Sequence, residues 1–262
     1  MPRPLAIVTG ASAGLGVDFA KLCAADGHDV VLVARRLDRL QALASELEQQ
    51  HGITAHPVAV DLNQPHAARQ VWDYIVEKQL QPAVLINNAG FGGAGKFHEQ
   101  DLQTQLDMLQ VNVRALMELT GLVLPGMLER KSGRIMNVAS TAAYQPGPLM
   151  AVYYATKAFV LSFSEALHHE NRGTGVTVTC VCPGATRTEF QQAAQMNESR
   201  LFNTMWVMDS ATVARQGYIA MKQGRRTIVN GRMNNFLAFM NRLSPNWLRL
   251  IIAQRMQERK IQ

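Results

Sequence analysis

A doubly wound α/β sandwich in a single domain, closed by a short helical extension, is the fold this sequence predicts. Three observations carry it. Seven short apolar runs, Leu5 to Val8, Val30 to Val33, Val58 to Val60, Val84 to Ile86, Ile135 to Val138, Val176 to Val181 and Thr227 to Val229, alternate with longer amphipathic stretches. Apolar runs of this length, each followed by a helical pattern, indicate a parallel sheet buried on both faces. The first run passes directly into Thr9-Gly10-Ala11-Ser12-Ala13-Gly14-Leu15-Gly16, a glycine-rich turn that opens a helix. No linker, low-complexity tract or solenoid repeat interrupts the 262 residues, and a hydrophobic share of 47% suffices for a large core. Right-handed crossovers then give a three-layer Rossmann-type arrangement with its ligand crevice at the carboxyl ends of the strands.

The N-terminal apolar run stops at Gly10, too early for the core of a signal peptide, and reads as a buried strand. No uninterrupted apolar stretch approaches the ~18 residues of a membrane span. Three cysteines, with Cys180 and Cys182 on one strand face, make no disulfide framework, so a reducing cytoplasm is the expected compartment. The net charge of +6 is unevenly placed: from Lys222 to Gln262 nine Lys or Arg face one acid, Glu258, and the remainder is slightly acidic. No recognition motif or aromatic platform accompanies the charge, which argues against nucleic acid as a partner.

Within the first turn, glycines at 10, 14 and 16 let the backbone bend tightly, approach a pyrophosphate and pack the helix against the sheet, with the helix N-terminus facing the phosphates. A strand before and a helix after supply the context that dinucleotide binding requires. Further on, Tyr153 and Lys157 stand four residues apart, on successive turns of a helix. An adjacent ammonium favours the phenolate and draws a tyrosine down from its ordinary ~10, so Tyr153 reads as a proton donor and acceptor. Tyr154 has Ala158 at the same spacing and reads as packing.

The glycine turn, Asn87-Asn88-Ala89-Gly90, Asn112, Ser140, Tyr153-x-x-x-Lys157 and Pro183-Gly184 occur in the order and spacing of the short-chain dehydrogenase/reductase family, which the chain resembles from about residue 4 to about 230. The resemblance implies hydride transfer between a nicotinamide and a carbonyl carbon. Ser140 would hold the carbonyl oxygen, Tyr153 pass it a proton, and Lys157 bind the nicotinamide ribose and acidify the tyrosine. Asn112 would order a water linking the lysine to solvent, although a solvent-facing asparagine fits the sequence equally well. The implied cofactor contacts are Gly10, Ser12, Gly14, Leu15 and Gly16 at the phosphates, Asp61 and Leu62 at the adenine, and Asn88, Ala89 and Gly90 beside the adenosine half. Pro183, Gly184, Thr186 and Thr188 would meet the nicotinamide half. Asp61 alone could equally cap the helical run beginning near Gln64, and Phe91 to Gly95 reads as a mobile lip.

After the second strand comes Ala34-Arg35-Arg36, with Ala34 where an acid would select NAD. Arg35, helped by Ser12 and Arg36, is the expected partner of a 2′-phosphate, which makes the cofactor NADP(H); the alternative is that Arg35 and Arg36 only open a solvated helix with Asp38.

A domain of residues 1–232 is therefore expected to bind the dinucleotide and carry the chemistry, with a substrate lid at about 186–209. The lid segment holds Phe190, Met196, Leu201, Phe202, Met205, Trp206, Val207 and Met208, a composition that suits either a hydrophobic small-molecule or acyl substrate or the inner face of two short helices. Residues 233–262 form a basic amphipathic extension of two helices, Asn234 to Leu243 and Pro245 to Arg259, the second capped by Ser244. Three uses remain open for it: packing over the pocket or a subunit, peripheral contact with an anionic membrane, and docking of an acidic acyl carrier. The expected assembly is a homodimer or homotetramer. Two function classes remain, an NADPH-dependent carbonyl or 3-oxoacyl reductase and a cofactor-binding sensor without turnover; the complete Asn112, Ser140, Tyr153 and Lys157 set favours the enzyme.

Overall fold

The protein is described by a computed structural model over residues 3–187, 189 and 207–257. Its strands are β1 (Leu5–Thr9), β2 (Asp29–Ala34), β3 (Ala55–Ala59), β4 (Pro82–Asn87), β5 (Gly133–Val138), β6 (Val176–Cys182), β7 (Thr186–Arg187), β8 (Met208–Asp209) and β9 (Thr227–Val229). Seven of them form a parallel sheet in the order β3-β2-β1-β4-β5-β6-β9, while β7 pairs with β8 apart from it. Each apolar run singled out in the sequence is one of the seven. The third begins three residues earlier than its valines suggest, because Ala55 already pairs with Val30.

Side chains alternate along a strand, so both faces of this sheet need cover. Ala6 and Val8 of β1 pack in the layer built with α1 (Leu15–Ala25) and α2 (Leu37–His51). Leu5 and Ile7 pack in the opposite layer with α3 (Ala67–Glu77) and, beyond α4 (Leu102–Leu109), with α5 (Leu116–Glu129). Each fully buried valine, leucine or isoleucine contributes roughly 1.5–3 kcal/mol, which is why near-continuous apolar runs specify these strands.

Leu102–Glu129 is one helix of 28 residues, with a π-helical turn at Gln110–Ala115, and an 18-residue window of it has a mean hydropathy of 1.3. By length and composition it could cross a membrane, although its apolar residues are interrupted, as the sequence reading had it. Asn112 and the paired Arg114 and Glu118 break its apolar runs. In the fold Leu119, Val123 and Met127 are buried among the sheet-facing residues.

The chain order reverses between β1 and β4, and a crevice opens at their carboxyl ends. A buried polar ladder fixes the floor. Asn87 Nδ2 donates to Thr120 Oγ1 at 3.0 Å and to Asn137 Oδ1 at 2.9 Å, and Asn137 Nδ2 donates to Ser164 Oγ at 2.9 Å. These bonds tie β4, β5 and α5 to α6 (Ala151–Glu170), the helix that carries Tyr153 and Lys157.

After α7 (Ser210–Lys222) and β9, the extension forms α8 (Arg232–Leu243) and α9 (Asn246–Gln257). Ser244 ends α8, its hydroxyl donating to Met240 O at 2.9 Å. It does not start α9 as the sequence suggested; the Pro245 carbonyl receives the first bonds of α9, from Leu248 N and Arg249 N.

Candidate active site

The turn after β1 is built for close approach. Gly10 has φ +68°, and a Cβ there would lie 2.8 Å from Asn88 Nδ2; a Cβ on Gly16 would fall on the Gly10 carbonyl. Glycine is needed at both points, and the N-terminus of α1 stands beside the strand end with its backbone bare. The neighbouring loop is joined to the turn. Asn88 Nδ2 donates to Thr9 O at 2.9 Å, while Thr9 Oγ1 accepts from Asn88 N and Ala89 N, each at 3.0 Å.

At the other end, β5 stops at Val138 and Ser140 opens a short 3₁₀ turn, Thr141–Tyr144, accepting from Ala142 N at 3.1 Å. The Ser140 hydroxyl also donates to Pro183 O at 3.4 Å and is hydrogen-bonded to the Tyr153 phenol. Lys157 Nζ donates to Val138 O at 2.9 Å and lies 5.8 Å from the centre of the Tyr153 ring.

The acidification expected of Tyr153 is not the dominant effect. Burial pushes the phenol well above the ordinary tyrosine range, and only the Ser140 hydrogen bond is resolved as pulling it down. Burial also pushes the Lys157 ammonium down to about 8, with the Cys180 and Cys182 thiols pulling the other way. The two groups share one desolvated spot, where exclusion of water penalises both charged forms.

Asn112 is buried in the π turn and does not face solvent. Its Nδ2 donates to Phe91 O at 2.9 Å and Thr156 Oγ1 at 3.1 Å, and its Oδ1 accepts from Phe91 N at 3.0 Å. A Cβ on Gly90 would come 3.0 Å from Asn112 Oδ1 and 3.4 Å from Lys157 Nζ, so both side chains converge on that backbone. Phe91 to Gly95, expected to be a mobile lip, is hydrogen-bonded at both ends: Phe91 N and O meet the Asn112 amide, and Gly95 N donates to Leu149 O at 2.8 Å while its carbonyl accepts from Gln100 Nε2 at 2.6 Å.

The arginine pair divides differently from the sequence reading. Arg36 turns to Ser12, donating from Nη2 at 3.1 Å and Nε at 3.3 Å to the hydroxyl, whereas exposed Arg35 makes no hydrogen bond or ion pair among the described residues. Glu189 holds Arg36 at 3.1 Å and Arg39 at 2.7 Å, and the arginines, Arg39 first, keep its carboxyl below the usual range. Arg39 was legible as a cation one turn beyond Arg36; nothing in the sequence announced Glu189 or its reach across the cleft. Asp61 caps no helix: its Oδ1 accepts from Asn63 N at 3.1 Å, and α3 begins only at Ala67.

One cleft of about 1060 Å³ gathers Gly10, Ser12, Gly14, Leu15, Arg35, Arg36, Asp61, Leu62, Asn88, Ala89 and Gly90 with Ser140, Tyr153, Lys157, Pro183, Gly184 and Thr186. Gly16 and Asn112 support it from behind. Thr188, together with Phe190 to Trp206 of the expected lid, lies outside the described residues. The extension reaches the same cleft: Leu237, Met240, Ile252 and Met256 line its mouth, and Gln257 Nε2 donates to the Tyr154 hydroxyl. Tyr154 packs edge-on against Tyr153, ring centres 6.1 Å apart, so its packing role includes anchoring α9.

The short chain dehydrogenase family profile matches residues 4–199. A short chain dehydrogenase of Pseudocercospora fijiensis is 39% identical over 187 residues, 70% of this chain and 60% of that protein. A very-long-chain 3-oxoacyl-CoA reductase of Homo sapiens is 36% identical over 185 residues, 68% of this chain and 58% of that protein. In both cases the match spans about three fifths of the relative's length. A short-chain dehydrogenase from Sphingobium yanoikuyae, solved in complex with NADPH, superposes with a TM-score of 0.82 at 30% identity, covering 92% of this chain and 93% of that one.

Proposed function

The chain belongs to the short-chain dehydrogenase family of oxidoreductases, and from that premise we propose that it is an NADP(H)-dependent reductase acting on a carbonyl borne by a hydrophobic substrate, such as a 3-oxoacyl chain. The observation that carries the reading is the Ser140–Tyr153 hydrogen bond, made in the cleft where Arg36 meets Ser12. One end offers a proton beside a hydroxyl donor. The other offers guanidinium groups suited to a phosphate.

The glycine cradle, too tight for a Cβ at Gly10 or Gly16, fits a dinucleotide pyrophosphate against the N-terminus of α1. Arg36 and Ser12, with Arg35 beside them, would receive a ribose 2′-phosphate, and Asp61 and Leu62 the adenine. The bound cofactor supplies the hydride that reduces the carbonyl carbon. Ser140 would hold the carbonyl oxygen and Tyr153 donate its proton to it, completing an alcohol. Lys157 would bind the nicotinamide ribose and stabilise the phenolate that remains. Asn112 holds the Phe91 backbone and Thr156, keeping that corner in register for a proton to return from solvent.

Substrate class follows from the cleft lining, where Met150, Leu237, Met240, Ile252 and Met256 offer adaptable apolar contacts. The relatives named as very-long-chain 3-oxoacyl-CoA reductases support an acyl substrate. NADPH oxidation followed against long-chain 3-oxoacyl thioesters, bulky ketones and small polar aldehydes tests the proposal. Turnover of the apolar carbonyls is expected; turnover of the small polar ones alone would overturn the substrate class, and equal use of NADH the cofactor.

A further inference from the structure

The extension keeps a large apolar surface in the open. In α8, Phe236, Phe239, Met240 and Leu243 follow helical spacing, and Phe236 and Phe239 are each 57% exposed and Leu243 67%. In α9, Trp247, Leu250 and Ile251 repeat the spacing, with Trp247 63% exposed. Scattered exposed leucines are ordinary, but two phenylalanines and a tryptophan exposed at helical spacing on two successive helices mark an interaction surface. The opposite sides of these helices are committed to the body: Ala238 and Ala253 are buried and Gln257 is bonded to Tyr154.

The charge carried by these two helices has one sign. Residues 232–257 contain Arg232, Arg242, Arg249 and Arg255 and no aspartate or glutamate. Arg232 and Arg255 are exposed and enter no ion pair among the described residues. A second copy would bring an identically positive face and be repelled. An anionic bilayer offers negative headgroups and an apolar interior together, the pair of features that an amphipathic basic face requires. Leu237, Met240 and Ile252 are themselves at least 40% exposed while lining the mouth, so the surface runs into the cleft wall.

We propose that α8 and α9 form a docking surface for anionic lipid, seating the mouth of the cleft on the bilayer. The surface follows from exposure and charge alone and does not depend on the reaction assigned to the cleft.

The test is sedimentation of the full chain with phosphatidylglycerol-containing and pure phosphatidylcholine vesicles, with Trp247 fluorescence as a second readout. Binding is expected to the anionic vesicles alone, with a blue shift that Trp247→Phe removes and high salt reverses. Phe239→Asp with Leu243→Asp should weaken it at least tenfold, and Arg255→Glu should weaken it severalfold, with circular dichroism and thermal midpoint unchanged. Absence of sedimentation with anionic vesicles would overturn the proposal, as would equal binding by the Asp variant. Self-association abolished by Phe239→Asp, found in place of vesicle binding, would assign the face to a second copy instead.

Discussion

Arg36 meets Ser12 with one edge of its guanidinium, at 3.1 Å from Nη2 to the hydroxyl, and Glu189 with the other, at 3.1 Å from Nη1 to the carboxylate. An acidic side chain thus lies against the group assigned to a cofactor phosphate. These charges are largely solvent-exposed, so each pairing is worth only about 0–1 kcal/mol. Glu189→Gln should tighten NADPH binding by roughly two- to fivefold and leave NADH binding unchanged, read by fluorescence titration. Weaker NADPH binding in the variant would mean that Glu189 orients the arginines rather than competing for them.

Arg36→Ala should weaken NADPH binding about tenfold or more, since a charge-assisted contact contributes roughly 1.5–3 kcal/mol, with little change for NADH. Titration of the two cofactors in parallel separates this from a general loss of the site. If Arg35→Ala carries the larger effect, the phosphate sits against Arg35, as the sequence alone suggested.

Removing the Asn112 amide leaves the Phe91 N–H and carbonyl without that partner, while the Thr156 hydroxyl keeps only its bond to Tyr153 O. Asn112→Ala should destabilise the protein by roughly 1–3 kcal/mol, measured by denaturant unfolding, and reduce turnover as well. Unchanged stability would show that the bonds are replaced by solvent.

Lys157 has a folded value of about 8 against an ordinary 10.5. The unfolded chain therefore holds this proton more readily, and the group's contribution to stability rises as pH climbs from about 8 to 10.5 and is least favourable below 8. Activity should move the other way. The charged amine is lost from the folded protein above about 8, so kcat/KM for carbonyl reduction should fall through that pH, and Lys157→Met should abolish the limb. A flat profile up to pH ~10 would remove Lys157 from the proton chemistry.

The strands were legible because Ile7, Leu85 and Ile135 belong to apolar runs buried on both sides, and a period of burial survives translation into sequence. Gly10 and Gly16 were legible because only glycine tolerates the backbone contacts they make. The π turn at Asn112 was not, since the single-residue shift in phase that it brings is hidden where apolar residues such as Val111, Val113, Leu116 and Met117 fall on several faces of the helix. The relation between Tyr153 and Lys157 was half legible: spacing put them on one helix, but burial, a property of the whole fold, decided which way each titrates. Glu189 and Gln257 reach Arg36 and Tyr154 across separations of 153 and 103 residues, which local pattern cannot encode.

Tyr153→Phe removes a single oxygen while keeping the ring that packs on Tyr154, so single-turnover reduction by this variant with NADPH prebound tests the account most directly. The predicted result is a hydride-transfer rate lower by roughly 10²–10⁴, the usual contribution of a positioned acid, with NADPH affinity within a few-fold of the parent. A rate within tenfold of the parent would contradict the assignment of the proton to this phenol.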